Sequence, residues 1–393
     1  MDLTPLDTLA ERTGLPPLLS ALGSGTSRFV GGAVRDTLLG LAVQDIDLAT
    51  TLSPYEVMRR CGAAGIKTVP TGIAHGTVTA VSSGQTVEVT TLRSDVATDG
   101  RWAEVAFTDD WQADAERRDF TMNALYFDPQ SGELFDFFAG LRDLEAGRVR
   151  FIGDPLRRIA EDHLRILRFF RFHARFGKGA LDGQGLAACI ARANDLMALS
   201  RERIADEVLK LLGLPDPVGT VRVMVEEGVL RAVLPEIEPS ALPGLQRLVA
   251  AEQEADLAPD GLRRLSALLP RDPLLAEKIA ARLKLSNRSR KRLALAADPD
   301  FDGGPRALAY WTGTESAVDR LLLAGRSADA AALSGWMPPK LPVSGGALIR
   351  RGLVPGPLVA RTLQAIERRW VQEDFPGGES LNAIVDEALT GVD

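Results

Sequence analysis

The chain has 393 residues, of which 45% are hydrophobic and 25% charged, so it can form two or three domains with a buried core, which excludes a disordered protein. Its formal net charge of −7 argues against polyanion binding by the whole surface and leaves only local basic faces for a nucleic acid. The two cysteines, Cys61 and Cys189, are far apart and lack metal-ligand spacing, so a disulfide framework and a zinc site are both disfavoured.

The amino-terminal segment MDLTPLDTLAERTG carries acidic residues where a signal peptide would have a basic end. No uninterrupted apolar run in the sequence is long enough to span a bilayer. Together with the few cysteines, these features predict a protein of the reducing cytoplasm without a membrane partner.

Short β-rich runs alternate with loops and one or two helices between residues 28 and 128, which predicts an α/β head. The predicted strands lie in SRFVGG, DIDLAT, GTVTAVSS, QTVEVTTLR and NALYFD. Residues 136–155 contain a glycine-bounded turn and a proline stop, which is typical of a hinge. After Pro155 almost every segment has helical periodicity with Gly or Pro breaks, so the rest of the chain is predicted to be helical.

The segment GGAVRDTLLGLAVQDIDLATT, which begins at Gly31, combines a glycine pair with an aspartate pair. In an extended strand, residues two apart point to the same face, so Asp45 and Asp47 can converge and offer the oxygen ligands that Mg²⁺ prefers. Gly31 and Gly32 let the backbone approach a triphosphate, and Arg35 can form a fork onto phosphate oxygens. The combination predicts nucleotidyl transfer with two metal ions, although either pair alone is also common in solvated loops.

A helix is predicted over residues 159–176, where Asp162, Arg165 and Arg168 are spaced three apart and share one face. Cytosine and adenine both present an exocyclic amino donor beside a ring-nitrogen acceptor, so Asp162 can accept while Arg165 donates. Uracil and guanine place like groups opposite the same two side chains. This pair can therefore select C and A without a nucleic acid template; the alternative is a helix with surface ion pairs.

Five motifs, in order, resemble those of the class II tRNA nucleotidyltransferase and bacterial poly(A) polymerase group. The glycine and aspartate segment resembles motif A of the group, and RRDFTMNALYFD its second motif. GLRDLEAG resembles the hinge, EDHLRILRFFRF the nucleobase-reading helix and RERIADEVLKLL the fifth motif. The segment GPLVARTLQAIERRWVQEDF is similar to the tail of bacterial CCA-adding enzymes.

The resemblance implies an α+β fold with a small polymerase-β-like nucleotidyltransferase head at residues 1–150, which holds the catalytic palm. A helical neck with the base-reading helix is expected at 151–235, and a helical, tRNA-binding body and tail at 236–393. The implied enzyme uses Mg²⁺ and adds C, C and A from CTP and ATP to the 3′ end of tRNA, with no DNA partner.

Three alternatives to this activity stay open. A poly(A) polymerase uses the same motifs, but often carries a basic extension that this acidic chain lacks. An enzyme that adds only A, behind a separate CC-adding partner, is compatible with the sequence. A catalytically idle RNA-binding protein is the alternative from another class, and the intact acidic and basic motif residues argue against it.

The catalytic residues are predicted to be Asp45, Asp47 and Glu88, with Asp45 and Asp47 as metal ligands. Glu88 lies in the alternating run TVEVTT, so it can sit on a strand beside Asp47 as a third carboxylate or be an exposed strand residue. The predicted nucleotide-binding residues are Gly31, Gly32, Arg35, Arg118, Asp119, Asp162, Arg165, Arg168 and Arg171.

Several of these residues have two interpretations. Arg118 matches the nucleotide-contacting arginine of the family, whereas Asp119 either contacts ribose or caps a helix that begins at Thr121. The resemblance implies that Arg168 holds the neighbourhood of Arg165 or the phosphates. Arg171 falls on the family pattern, and contact with tRNA or with a carboxylate of the head is the alternative.

Two further segments have possible roles in RNA addition. Residues 92–107 are polar and resemble the flexible loop that helps the family change from C to A addition; an ordinary surface loop is the alternative. Residues 282–295 form the densest basic run, which either meets a tRNA backbone or is a solvated helix face.

Overall fold

The computed structural model describes residues 2–43, 45–99, 102–300 and 303–390. Contacts divide the chain into two compact units: Met1–Glu207 with Gly219–Val233, and Val208–Val218 with Leu234–Asp393. The predicted limits of head, neck and body are not tested by this division and stay predictions. The predicted α+β class is confirmed, because a mixed sheet and many helices are present.

A seven-stranded mixed sheet and a separate hairpin contain the strands. In chain order these are β1 (Ser27–Val30), β2 (Asp47–Thr50), β3 (Lys67–Gly72), β4 (Thr77–Ser82), β5 (Gln85–Thr91), β6 (Arg93–Asp99), β7 (Trp102–Phe107), β8 (Leu125–Asp128) and β9 (Glu133–Asp136). The sheet order is β3-β4-β5-β2-β1-β8-β9; β2 and β5 are parallel, and the other neighbouring strands are antiparallel. This parallel pair places Asp47 beside Glu88.

The segment predicted as a polar loop forms the antiparallel hairpin β6–β7. The polar residues of this segment predicted a loop. Its threonine, valine, tryptophan and phenylalanine residues nevertheless favour a strand, which is the conformation that the segment adopts. Residues 100 and 101, at the tip of the sequence segment, lie outside the described residues. A role in the change from C to A addition stays a prediction.

The structure describes the following α-helices up to residue 226. They are α1 (Thr4–Ala10), α2 (Leu15–Leu22), α3 (Gly32–Leu38), α4 (Pro54–Ala63), α5 (Trp111–Glu116), α6 (Gly140–Glu145), α7 (Pro155–Glu161), α8 (Arg165–Phe176), α9 (Gly183–Ala191), α10 (Arg201–Leu212) and α11 (Val218–Glu226). Helices α2 and α4 pack on β4, and α3 packs on β1 and β8. Helix α4 shows a typical start, because Ser53 Oγ accepts from the Glu56 amide and Pro54 occupies the first turn.

The predicted helix over 159–176 is wrong at one point, because it is broken between α7 and α8. Asp162 has an extended backbone, with φ −150° and ψ 107°. Its Oδ1 accepts from the amide of Leu164 at 3.1 Å. Aspartate competes with helical hydrogen bonding in this way, so the chain turns at Asp162 and a new helix begins at Arg165.

Aromatic side chains attach α8 to the residues that precede it in the first unit. Phe151 stacks on Phe169 with ring centroids 5.4 Å apart, and Phe120 contacts Phe172 at 5.0 Å. Phe120 and Phe151 also form an isolated antiparallel bridge. Because these rings are buried, the angular position of α8 is fixed by packing, and Arg168 and Arg171 lie against the ring of Phe172.

The second unit is helical throughout its described residues, as predicted. Its remaining helices are α12 (Leu242–Glu254), α13 (Gly261–Leu268), α14 (Pro273–Arg282), α15 (Asn287–Ala297), α16 (Pro305–Thr312), α17 (Thr314–Leu323), α18 (Ser327–Ala332), α19 (Gly345–Arg350), α20 (Pro357–Gln372) and α21 (Gly378–Thr390). One apolar cluster joins α12, α16, α17 and α18, and another joins α16, α19, α20 and α21. In the part of the chain that the structure describes, no helix is both long and apolar enough to cross a bilayer.

Candidate active site

A cavity of about 440 Å³ in the first unit collects residues from the glycine and aspartate segment, the second motif and helix α8. Its lining residues are Gly31, Gly32, Arg35, Asp36, Ala42, Asp45, Asp47, Arg118, Asn123, Arg168, Phe172 and Arg175. Seven of the predicted site residues are thus brought together. Glu88, Asp119, Asp162, Arg165 and Arg171 are not among the lining residues.

The glycine pair forms the turn from β1 into α3. Gly31 has φ +65°, a conformation that favours glycine. A Cβ added at Gly31 would lie 3.4 Å from Nη1 of Arg118, and one at Gly32 would lie 3.6 Å from Nη2 of Arg35. The absence of side chains here therefore leaves the backbone close to two cationic groups, which is the arrangement that a phosphate chain requires.

The aspartate pair stands at the start of β2. Asp45 lies at a bend before the strand and Asp47 is its first residue, so the pair is only partly in the predicted extended conformation. Burial, the neighbouring carboxylate of Glu88 and that of Asp45 raise the pKa of Asp47 to about 6, although Arg118 opposes the shift. A cation at this position would relieve the repulsion, so Asp45 and Asp47 fit a divalent metal.

The expectation that Glu88 lies on a strand beside Asp47 is confirmed by the β2–β5 register. Within the described ranges, however, no three His, Cys, Asp or Glu side chains are grouped closely enough to hold a metal ion. The geometry favours the aspartate pair with Glu88 as an electrostatic neighbour, and a ligand role for Glu88 stays a prediction.

Arg35 is buried and is held from two directions. Its Nε donates to Oδ1 of Asp36 at 2.8 Å, and its Nη1 donates to Oδ1 of Asn123. Burial lowers the pKa of Arg35, although Asp36 opposes this shift. These contacts fix the guanidinium at the cavity wall, but Asp36 already compensates much of its charge.

Arg118 lies against a buried acid. Its Nη2 donates to Oδ2 of Asp114 at 3.1 Å and its Nε donates to the hydroxyl of Tyr126 at 2.9 Å. The Tyr126 hydroxyl in turn donates to Oδ2 of Asp114 at 2.7 Å. Burial disfavours the charged form of Arg118, but Tyr126 and Asp114 more than offset this effect and raise its pKa. The guanidinium is therefore positioned before any ligand binds.

Asp119 does not cap the segment that follows it, and its predicted contact with ribose stays a prediction. Its Oδ1 accepts from the side-chain amide of Asn123 at 2.9 Å, and its Oδ2 accepts from Nε of Arg168 at 2.8 Å. The segment after it is a single 3-10 turn, Thr121–Asn123, without a side-chain cap. Burial raises the pKa of Asp119, but Arg168 and Asn123 lower it further than burial raises it. The structure thus places Asp119 as a support for Arg168.

The residues predicted to read the base are held by other side chains and by backbone carbonyls. Nη1 of Arg165 donates to Oε2 of Glu161 at 2.7 Å and to the Arg158 carbonyl at 2.9 Å. Nη2 of Arg165 donates to the Arg117 carbonyl at 2.8 Å. Nη2 of Arg203 donates to Oδ2 of Asp162 at 2.9 Å. Both groups are therefore oriented within the first unit.

Arg171 points to a carboxylate of α10. Its Nε contacts Oε2 of Glu207 at 2.5 Å, and Nη1 of Arg168 lies 3.9 Å from Oε1 of the same residue. Glu207 is buried. This contact favours a structural role for Arg171, and its predicted contact with nucleotide stays a prediction.

Sequence reasoning missed four polar or aromatic residues of the cavity wall: Asp36, Asn123, Phe172 and Arg175. Asn123 lies inside the quoted second motif, and Asp36 follows Arg35 directly, so both were within the segments that gave a signal. Arg175 lies in the last turn of α8, beyond the quoted motif EDHLRILRFFRF. Its Nη2 lies 3.4 Å from Oδ2 of Asp36, which Arg35 already neutralises. Arg175 is therefore the least compensated cation of the wall.

The basic run at 282–295 is largely neutralised within the second unit. Arg282 pairs with Glu236 at 2.6 Å, Arg288 with Glu315 at 2.7 Å and Arg290 with Glu277 at 3.1 Å. Arg292 is buried and contacts Asp319 at 2.6 Å. These pairs support a solvated helix face, and contact with a tRNA backbone stays a prediction.

Two family models match the chain. The one described as "Poly A polymerase head domain" matches residues 27–150, and the one described as "Probable RNA and SrmB- binding site of polymerase A" matches residues 180–240. The first match contains the sheet and the aspartate pair, and the second contains α10.

Relatives of similar length match most of the chain. The mitochondrial CCA tRNA nucleotidyltransferase 1 of Mus musculus is 35% identical over 372 residues, which cover 88% of this chain and 83% of the relative. The CCA-adding enzyme of Lacticaseibacillus paracasei is 31% identical over 396 residues, 96% of this chain and 95% of that enzyme. The crystal structure of Bacillus stearothermophilus CCA-adding enzyme in complex with CTP superposes with a TM-score of 0.73 at 29% identity, covering 93% of this chain and 94% of that one.

Proposed function

The chain belongs to the family of CCA-adding tRNA nucleotidyltransferases, and we propose that its cavity transfers C, C and A from CTP and ATP to the 3′ end of tRNA. The observation that carries this proposal is the meeting of the glycine turn, the aspartate pair and the arginines of α8 in one cavity. A catalytically idle RNA-binding protein needs no such arrangement.

The family uses a divalent metal, and we infer that Asp45 and Asp47 hold Mg²⁺. When bound, the metal lowers the pKa of the attacking 3′-hydroxyl and stabilises the pyrophosphate that leaves. The chain contributes the two carboxylates, and the raised pKa of Asp47 supports this role because a cation would offset the crowding of negative charge.

The phosphates of the nucleotide are assigned to the glycine turn and to the cationic wall. Gly31 and Gly32 leave the backbone accessible, while Arg118 and Arg168 are oriented by buried acids. An arginine that is already oriented loses little conformational freedom when it binds phosphate, so these contacts favour binding and in-line geometry.

Base selection is assigned to Asp162 and Arg165. The carboxylate of Asp162 accepts from the exocyclic amino group of C or A, and the guanidinium of Arg165 donates to the ring nitrogen. Arg165 has three of its N–H groups directed to protein oxygens, which leaves N–H groups available for a base. Asp162 and Arg165 are not among the lining residues of this cavity, so we propose that the base extends from it towards the α7–α8 junction.

The decisive experiment incubates the protein with tRNA that lacks CCA and with each labelled nucleotide alone or in combination. We expect addition of two C and one A, and no addition of U or G. Incorporation of A alone onto tRNA that ends in CC would identify an A-adding enzyme, and long A tails would identify a poly(A) polymerase. A cytoplasmic location stays a prediction, since mitochondrial relatives also match the chain.

A further inference from the structure

Arg203 of α10 makes the side-chain contact that orients the predicted base-reading carboxylate. Its Nη2 donates to Oδ2 of Asp162 at 2.9 Å and to Oδ1 at 3.2 Å. Among the described residues, no other side chain donates a hydrogen bond to Asp162. Because the two residues are 41 positions apart, the contact arises from the tertiary packing of α10 against the α7–α8 junction.

The remaining hydrogen bonds decide which oxygen of Asp162 is open. Oδ1 accepts from the Leu164 amide and from Arg203, whereas Oδ2 accepts from Arg203 alone. A carboxylate oxygen offers about two lone-pair directions. Oδ2 therefore keeps one acceptor direction open, which matches the single amino N–H that a C or A directs towards it.

Asp162 also needs this contact more than a helical residue would. It lies in extended backbone between two helices, so no helical backbone restricts its side chain. Arg165, in contrast, is held by Glu161 and by two backbone carbonyls. Without Arg203 the carboxylate would keep only the Leu164 amide and would be free to rotate.

We propose that Arg203 is a positioning residue for nucleotide selection, which holds the open Oδ2 direction of Asp162 towards the amino group of C or A. This inference rests on the proposed function. Arg203 does not touch the nucleotide; it acts through Asp162. Removal of the Arg203 side chain should therefore lower the preference for CTP and ATP over UTP and GTP more than it lowers the rate of nucleotidyl transfer.

The test compares Arg203→Gln and Arg203→Lys with a matched control on the same helix, Arg201→Gln. For each protein, kcat and KM are measured with all four nucleotides on tRNA lacking CCA and on tRNA ending in CC, and thermal melting reports folding. We expect Arg203→Gln to lower the selectivity ratio by roughly 10-fold, because a small misplacement of an oriented group weakens discrimination strongly. Arg203→Lys should restore part of the ratio, and Arg201→Gln should leave it unchanged.

A purely structural role would slow all four nucleotides together and leave the selectivity ratio at the wild-type value, which would overturn the inference. Arg203→Gln in an Asp162→Ala background should not lower the selectivity ratio further, because Arg203 acts through Asp162. If Arg203→Gln lowers the ratio there as much as it does in the wild-type background, the inference is also overturned. If Arg203→Gln does not fold, the selectivity ratio of Arg203→Lys, measured alone and in the Asp162→Ala background, decides the question.

The outcomes separate the inference from the proposed function. A wild-type protein that adds neither C nor A would overturn both. A wild-type protein that selects C and A, with a ratio that Asp162→Ala lowers and Arg203→Gln does not, would overturn only the role of Arg203.

Discussion

Two pairs of side chains in the first unit are prepared for their ligands in opposite ways. The proposed metal pair, Asp45 and Asp47, stands near a third carboxylate, and the pKa of Asp47 is raised to about 6. The proposed base-reading pair, Asp162 and Arg165, already has partners of opposite charge in Arg203 and Glu161. Among the described residues neither aspartate of the metal pair forms an ion pair, and the charge of Arg118 only partly offsets the raised pKa of Asp47. These aspartates therefore depend on a bound cation for compensation, whereas Asp162 and Arg165 are oriented before a ligand arrives.

This difference indicates what each pair must do. Uncompensated carboxylates bind a cation strongly because the cation removes their repulsion. A hydrogen-bonding pair that selects a base must instead keep its direction, since discrimination depends on like groups being held opposite each other. The predictions below alter one pair at a time, from the largest expected effect to the smallest.

Removal of either metal ligand should have the largest effect. We expect Asp45→Ala or Asp47→Ala to reduce nucleotide incorporation by at least about 100-fold, because the charge stabilisation of the transition state is lost. Binding of tRNA, measured by filter retention, should be unchanged. Activity within tenfold of the wild type would contradict the metal assignment, and the wild-type enzyme should require Mg²⁺ or Mn²⁺.

Alteration of the base-reading pair, Asp162 and Arg165, should change the selectivity among the four nucleotides. Asp162→Ala removes the acceptor that penalises a carbonyl, so discrimination against UTP and GTP should fall by about 5- to 150-fold in relative kcat/KM. Arg165→Ala should weaken CTP and ATP alike. Single-nucleotide addition of all four nucleotides to tRNA lacking CCA and to tRNA ending in CC measures both effects; unchanged ratios in Asp162→Ala would exclude this mechanism.

Neutralisation of Asp47 should stabilise the metal-free protein while it abolishes activity. The pKa of Asp47 is raised from 3.8 to about 6 by folding, so the native protein loses stability as the pH rises from about 4 to about 6. Asp47→Asn avoids this loss. Above pH 6 we expect a gain of about 1 to 2 kcal/mol in the free energy of unfolding, after allowance for solvent screening.

Urea denaturation in EDTA measures this gain, which should shrink as the pH is lowered towards 4. Saturating Mg²⁺ should stabilise the wild-type protein and leave Asp47→Asn nearly unaffected. A variant that is less stable than the wild type at pH 7.5 in EDTA would contradict the claim that the metal pair is uncompensated.

The smallest effect is expected outside both pairs, in the basic run of the second unit. Arg288→Ala should change the Kd for tRNA less than about threefold, because Glu315 already pairs with this charge and leaves little net attraction for a phosphate backbone. Lys291→Ala on the same helix is the matched comparison. A tenfold loss of affinity in Arg288→Ala would show that this helix meets the tRNA backbone.

Much of this architecture was readable from the sequence, because the signals are local. Alternating apolar residues predicted β1, β2, β4, β5 and β8, and the helical periodicity after Pro155 predicted the rest of the chain. Gly31 and Gly32 could be assigned to a tight turn because only glycine adopts the positive φ of Gly31 at little cost. The strand β3 was missed because most of its residues are exposed, so it shows no clear alternation.

The sequence by itself determined which residues have the chemistry for metal binding and base selection, since that depends on residue type and short spacing. Tertiary structure alone decided how these residues are held. The break at Asp162, its contact with Arg203 and the contact between Asp119 and Arg168 involve side chains from separate segments. Such contacts are set by the packing of α8 and α10, which no spacing along the chain encodes.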